Sequence, residues 1–368
     1  MKIFGLILFV ALVFPLYASE NPSDEAYEEP WIPGPTGLII DSGVESSPRN
    51  NVKEVIAKQS PVKRQRSRGT CTIFTTTNYL EYIFFNKEGS HPDLSEEWLE
   101  YLIMRNKQSE GSSITPNVTA ILDHGIPSEE AWPYVGENWL KEENQHLGKE
   151  RCSHLEGRIG LWTSCLLGHR DPRLLDIKDN FLLDVNSEFY DPEFVEIKSE
   201  AKESVENIRS YIRRNKSYKL SKVSEVKNYL TQGIPLIMGI KLYYGAWNHS
   251  KTDLFDIQPR DKNKWYDGVV GYPELGSKDR KICDVKGGGH SLIIVGYDDE
   301  KIVKTRQLME NGEWKEFSYR GVYYFKNSWG TKGSGRDFSI EDISLPGYGM
   351  ITQKYANELG RWYLIPQK

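Results

Sequence analysis

The chain has 368 residues, 38 % of them hydrophobic and 12 % aromatic, enough for two ordinary domains or one two-lobed domain. That content excludes a disordered chain, and no period points to a collagen or solenoid repeat. A net charge of −5, from 47 Lys and Arg against 52 Asp and Glu, carries no basic footprint for nucleic acid, and none of the four cysteines sits in a C-x-x-C zinc pair.

Lys2 precedes the apolar run IFGLILFVALVF, broken at Pro15 and followed by the small Ala18. Residues 1–18 therefore read as a secretory signal, since the run is shorter than the roughly 20 residues of a membrane-crossing helix. The competing reading is an uncleaved anchor. Cleavage near Ala18 implies export to a secreted, periplasmic or lysosome-like compartment, with no membrane span afterwards. Residues 19–55 are rich in Pro, Glu, Ser and Gly and are expected to be extended.

From near Ile56 the pattern becomes globular. CTIFTTTNYLEYIFF has helical spacing with Thr70 as N-cap, although three consecutive threonines need burial to support it. Ser95 is expected to cap a second helix carrying Trp98, Leu99, Leu102 and Ile103, and a third runs from near Pro116 to Gly125. Ala201, Val205, Ile208 and Ile212 mark one amphipathic helix, and Val223 to Leu230 another. After Gly233 the chain turns β-rich in PLIMGIKLYY, SLIIVGYDD and GVYYFKNSW, with a hairpin signal at Asn311-Gly312. Helices first and strands second predict an α+β fold with two lobes and a cleft between them.

A lone cysteine beside an apolar helix is ordinarily a small buried hydrophobe. Cys71, however, sits where the loop RQRSRG enters a helix, where the positive helix end and free N–H groups favour a thiolate. Such a thiol needs a base and a group to orient it. The base candidate is His290 in KGGGHSLIIVGYD, where three glycines leave the ring open to a close neighbour. The other six histidines look like surface residues. Asn327, in YYFKNSWGTKG, would accept from the imidazole, and Trp329 would shield that bond from water.

Together these stretches resemble the papain-like cysteine peptidases, the papain and cathepsin family, in SPVKRQRSRGTCTIF, GGGHSLIIVGYD and FKNSWGTKGSG and in the order Gln, Cys, His, Asn. The resemblance implies Cys71 as nucleophile, His290 as acid/base, Asn327 as its orienting partner, and Gln65 with the Cys71 N–H as oxyanion hole. It also implies a helical lobe (56–232), an antiparallel β-barrel-like lobe (233–368), a cleft between them, and no metal or organic cofactor. The substrate would be a protein or peptide. Gly111 and Ser112 correspond more weakly to the glycine pair that receives extended substrate, and Trp329 is a further substrate-facing candidate.

Several residues depart from the family pattern. Arg68 stands where a structural cysteine would be, so that disulfide cannot form, and Arg66 and Thr72 replace a glycine and an aromatic. Both arginines are expected to be solvated loop charges rather than a lure for acidic substrates. His290 lies 219 residues after Cys71, against about 130–150 in the family, which fits an insertion over about 137–220. Cys152 and Cys165 could pair within it in an oxidising compartment, leaving Cys283 unpaired; the alternatives are a different pairing or a second thiol near the site. The insertion reads as a decorated outer face, with a lid over the cleft as the alternative. A shorter insertion spans Gly335–Gly347. The usual long helical propeptide has no room, which leaves a short segment within 19–55 as the candidate to block the cleft. Sequons at Asn117, Asn215 and Asn248 would carry glycans in a suitable host. Two other functions share these motifs: an amidase or acyltransferase on non-protein amides, and an inactive binding protein. Oligomeric state is not legible here.

Overall fold

The computed structural model describes residues 28–41, 47–214 and 218–368. The expected signal segment and the sequon at Asn215 lie outside the described residues. Residues 28–41 carry no helix or strand and meet the body through isolated bridges at Glu29 and Ile39. Helical structure starts earlier than the composition suggests, with α1 (Val52–Ala57), because Val52 and Val55 are buried in the core.

Helix α2 (Cys71–Glu88) runs through the middle of the molecule, and every residue from Cys71 to Phe84 is buried. Its threonines are tolerated because their hydroxyls bond within the helix: Thr75 to the Cys71 carbonyl and Thr76 to that of Thr72, both at 2.7 Å. Thr70 occupies the N-cap position but does not cap; its hydroxyl lies 2.7 Å from that of Tyr134. Helix α3 (Glu96–Met104) begins as expected, with Ser95 Oγ accepting from the Trp98 N–H at 3.0 Å. In α4 (Ile114–His124), Pro116 falls in the first turn, where no intrahelical partner for its missing N–H exists, and Gly125 ends the helix.

The helix expected over Ala201–Ile212 is broken into Pro192–Glu203 and Val205–Tyr211. Ser204 explains the break. Its hydroxyl donates to the Ala201 carbonyl and accepts from the Ile126 N–H, which locks the junction against the end of α4.

The second half builds a seven-stranded sheet in the order β1 (Lys219–Leu220), β9 (Arg361–Tyr363), β2 (Leu236–Lys241), β4 (Gly289–Leu308), β5 (Trp314–Lys326), β8 (Tyr348–Thr352), β3 (Val269–Val270). All pairs are antiparallel except β3 with β8. The barrel-like closure expected for this lobe is not made: the two edge strands are two residues long and do not pair with each other, so the sheet stays open. A separate hairpin of β6 (Ser339–Ile340) and β7 (Ile343–Ser344) fills the shorter insertion. Asn311-Gly312 turns β4 into β5 as predicted, with Gly312 at φ 87°.

Alternation along β4 buries both faces of the sheet. Ile293 and Val295 join the core that contains α2, whereas Leu292 and Ile294 join a second core with Met238, Phe325 and Trp362. The helical half therefore packs onto one face of the sheet, the α+β arrangement with two lobes. In the longer insertion a disulfide links Cys152 to Cys165, joining helices Gln145–Cys152 and Ile159–Gly168 over a small core of Trp139, Leu155 and Leu166. Cys283 is a free, buried thiol. Among the described residues no helix is long and apolar enough to cross a membrane.

Candidate active site

His290 is the second residue of β4 and Asn327 follows the last residue of β5, so the antiparallel pairing of these strands brings the two side chains together. His290 Nε2 lies 2.8 Å from Asn327 Oδ1. The same oxygen accepts from the Ser328 backbone N–H at 2.8 Å, which fixes which end of the amide faces the ring. Nε2 must then be the protonated nitrogen, leaving Nδ1 with a lone pair and no partner in its buried setting. Trp329 stacks on the imidazole at 4.2 Å and Trp247 meets it edge-on at 5.9 Å. Burial lowers the His290 pKa to about 4, against the opposing bond from Asn327, so the ring is neutral at neutral pH.

Cys71 is the first residue of α2 and is fully buried, close to the main chain of Ser291 next to His290. Its pKa stands well above that of a free thiol, first because of burial and then because of the Glu29 carboxylate. Gln65 is anchored by Ser328: its N–H donates to the Ser328 carbonyl at 2.9 Å and its Oε1 accepts from Ser328 Oγ at 2.7 Å. Gln65 Nε2 donates to the Arg68 carbonyl at 2.9 Å, inside the loop that leads to Cys71.

Arg68 is not a solvated charge. It is 1 % exposed and lies within 3.5 Å of carboxylate oxygens of Glu97, Glu100 and Glu110, while also bonding to the Leu167 carbonyl. The guanidinium thus pins the Cys71 loop to α3 by charge, in place of a disulfide. Arg66 is exposed, as expected, and pairs with Glu137.

The N-terminal segment 28–32 lies in the cleft between the lobes. Glu29 and Gly289, the residue before His290, exchange backbone hydrogen bonds of 2.8 and 2.5 Å. The buried Glu29 carboxylate accepts from the Thr72 N–H at 2.7 Å, from Thr72 Oγ1 at 2.6 Å and from the Ser112 N–H at 3.3 Å, and it also faces the Cys71 thiol. It supplies the cap for α2 that Thr70 does not make. Burial raises the Glu29 pKa, against these hydrogen bonds. Gly111 and Ser112 line the same groove: Gly111, at φ 104°, would carry any side chain against Pro30. The glycines before His290 make the groove passable, because a methyl group on Gly288 would overlap the Glu28 side chain. A cavity of ≈ 160 Å³ remains beside the segment, between Ile114, Gly239, His290 and Tyr363.

Trp329 is largely buried under its ring contacts, and its outer edge borders a separate cavity with Arg64 and Lys332. Two histidines expected at the surface are buried. His169 pairs with Glu97 at 2.7 Å, and His249 packs between Tyr244, Trp265 and Trp329. The sequons at Asn117 and Asn248 are also buried, Asn117 bonding to the Thr72 carbonyl and Thr76 hydroxyl, so neither presents an amide for glycosylation. Sequence reasoning missed Glu28, Glu29, Tyr244, His249 and Lys251 as cleft residues. The one usable signal was the acidic pair Glu28-Glu29 just before Pro30 in an otherwise featureless stretch. Among the described residues no group of three His, Cys, Asp or Glu side chains is arranged to hold a metal ion.

The family model described as "Papain family cysteine protease" matches residues 49–338. No curated protein matches the chain. Among solved structures, xylellain, a cysteine protease from Xylella fastidiosa, is 14 % identical, with 91 % of this chain and 94 % of that one covered and a TM-score of 0.46. Digestive procathepsin L 3 of Tenebrio molitor larval midgut is 16 % identical over 88 % of this chain and 71 % of that one, with a TM-score of 0.44. The cysteine protease and lectin-like domains of Cwp84 from Clostridium difficile are 15 % identical over 90 % and 54 %, with a TM-score of 0.43.

Proposed function

Since the chain belongs to the papain family of cysteine proteases, and is a cysteine-type peptidase, we propose that it is exported and hydrolyses peptide bonds through Cys71, His290 and Asn327. The observation that carries this reading is the His290–Asn327 hydrogen bond, which leaves Nδ1 of a buried imidazole as the base.

In this mechanism Nδ1 takes the thiol proton, and the Cys71 sulfur attacks the amide carbon of a bound peptide. The positive end of α2 favours the thiolate. The Cys71 N–H and Gln65 Nε2 stabilise the oxyanion, and loss of one such donor costs about 3–4 kcal/mol in related chemistry. His290 protonates the leaving amine, then takes a proton from water so that hydroxide attacks the thioester and frees Cys71. Trp329 keeps water off the His290–Asn327 bond, and Gly111 and Ser112 receive the extended substrate.

Residues 28–32 act in this scheme as a short propeptide. With the segment closed, both members of the pair are held neutral: burial and then the Glu29 carboxylate raise the thiol pKa, and burial lowers that of the imidazole. Departure of the segment removes the carboxylate, which favours the thiolate, and admits water, which favours both the thiolate and the imidazolium.

The test is mass spectrometry with peptide mapping after exposure to an epoxysuccinyl thiol-protease inactivator. Wild type, Cys71→Ala and His290→Ala are compared, each with and without Glu29→Ala. Rapid labelling at Cys71 that collapses in His290→Ala is the expected result. Equal labelling with and without His290, in the Glu29→Ala background, would rule the activated pair out.

A further inference from the structure

Glu28, next to the residue that covers Cys71, is held in a pocket of its own. Its Oε1 lies 2.9 Å from the Tyr244 hydroxyl and is ion-paired with Lys251 Nζ. Its Oε2 faces His249 Nε2 at 3.9 Å. The Lys251 backbone N–H donates to His249 Nδ1 at 3.0 Å, so the ring proton of a neutral His249 sits on Nε2, on the side of the carboxylate. Tyr244 is itself positioned, its hydroxyl accepting from the Gly288 N–H at 3.1 Å, and Lys251 Nζ lies 5.4 Å from its ring centre. Gly288 leaves the room that the Glu28 stem fills.

A hydroxyl and an ammonium therefore converge on one carboxylate oxygen, the His249 ring stands 3.9 Å from the other, and His249 joins this pocket directly to Trp329 over His290. A peptide reaching Cys71 must displace Glu29, and Glu28 leaves with it. Lys251 and Tyr244 then lose their anionic partner, one residue along the segment from Glu29. A neutral side chain would not restore the charge-assisted bonds, whereas a carboxylate would.

We infer that the pocket of Lys251, Tyr244 and His249 is a carboxylate subsite, and that this peptidase selects substrates with Glu or Asp at a residue flanking the bond it cleaves. The inference rests on the peptidase reading above for the word substrate, but the pocket can be tested without turnover. Lys251 is the specificity-determining residue, since its ammonium is ion-paired with the Glu28 carboxylate while His290 is held by Asn327.

The experiment uses the full chain with Glu28→Ala and Glu29→Ala to loosen the segment. Fluorogenic peptides that differ only in Glu, Gln or Lys at each position flanking the scissile bond are the probes. At one position the Glu peptide is expected to be cleaved with a kcat/KM about tenfold or more above the Gln peptide, the scale of a charge-assisted bond. Lys251→Gln should bring that ratio close to one, and Lys251→Glu should turn the preference towards Lys. In parallel, binding of the same peptides is measured with Cys71→Ser added. Cleavage with equal rates for Glu and Gln overturns the subsite and leaves the peptidase standing. Lys251-dependent binding of the Glu peptide without any cleavage supports the subsite and overturns the peptidase reading. Binding that ignores both charge and Lys251 overturns the subsite whatever the activity.

Discussion

The Glu29 carboxylate accepts the Thr72 backbone N–H at 2.7 Å, one residue beyond the buried Cys71. A carboxylate at a helix N-terminus is stabilised by the same unpaired N–H groups and helix dipole that would stabilise a thiolate there. Glu29 and the Cys71 thiolate thus compete for one electrostatic site. Replacing Glu29 with Ala removes three charge-assisted bonds and a neighbouring negative charge. The rate of Cys71 alkylation by iodoacetamide at neutral pH should rise about tenfold or more. An unchanged rate would mean that the segment does not restrain the thiol.

The raised pKa of Glu29 also fixes the sign of a pH effect. The closed segment holds a proton on Glu29 more tightly than the open one does, since burial disfavours the charged carboxylate. Closure is therefore strongest below the ordinary carboxylate pKa and weakens as pH rises through the raised value. Protection factors for the Gly289 amide, measured by hydrogen exchange, should fall across that window in wild type. In Glu29→Gln they should show no such step. A step of the same size in both would assign the effect to another group.

His290 gives a second titration. With burial holding its pKa at about 4, its ring signals in NMR should titrate near that value rather than near 6.5, the value of an exposed histidine. Loosening the segment with Glu29→Ala admits water and lets the Cys71 thiolate form, and both changes raise the His290 pKa. If the variant and wild type titrate together, the segment is not what desolvates the ring.

How much of this was legible follows from how local each signal is. The strand register that joins His290 to Asn327 is readable, because glycines before an apolar run and a polar break after another mark the strand ends within a few residues. The α2 threonines are harder, since only burial and bonds back to the Cys71 and Thr72 carbonyls make them good helix residues. Ser204 breaks a helix whose apolar spacing is continuous, and the cause is Ile126, distant in sequence. Glu29 and Lys251 were invisible for the same reason. Each is an ordinary charge until the fold sets one against Thr72 and Ser112 and the other against Glu28. Arg68 was misread because its three carboxylate partners lie on and beyond α3, where no local pattern points back to the Cys71 loop.

That cluster carries a stability prediction. Arg68→Ala would leave Glu97, Glu100 and Glu110 facing one another with their cation removed, two of them on α3 at full burial. Breaking a buried pair from one side costs about 3–5 kcal/mol, because the remaining charge stays desolvated. Urea unfolding should report a loss of that order, with slower Cys71 labelling in the Glu29→Ala background as the loop loses its anchor. A loss below about 1 kcal/mol, the range of exposed pairs, would mean that the cluster is open to solvent.

The Cys152–Cys165 disulfide should act locally. It closes a short loop, with a sequence separation of 13, between two helices that share only a small core with Trp139 and Leu155. Chain entropy assigns a loop of that size about 3 kcal/mol, a large share of what so small a core can supply. Replacing both cysteines with serine should raise hydrogen exchange throughout residues 145–168. The amides of β4 and β5, on the far side of α2, should stay protected, and Cys71 should label as in the parent. Exchange that rises equally in β4 would mean that the insertion and the sheet unfold as one unit, and the disulfide would then be a global staple of the fold.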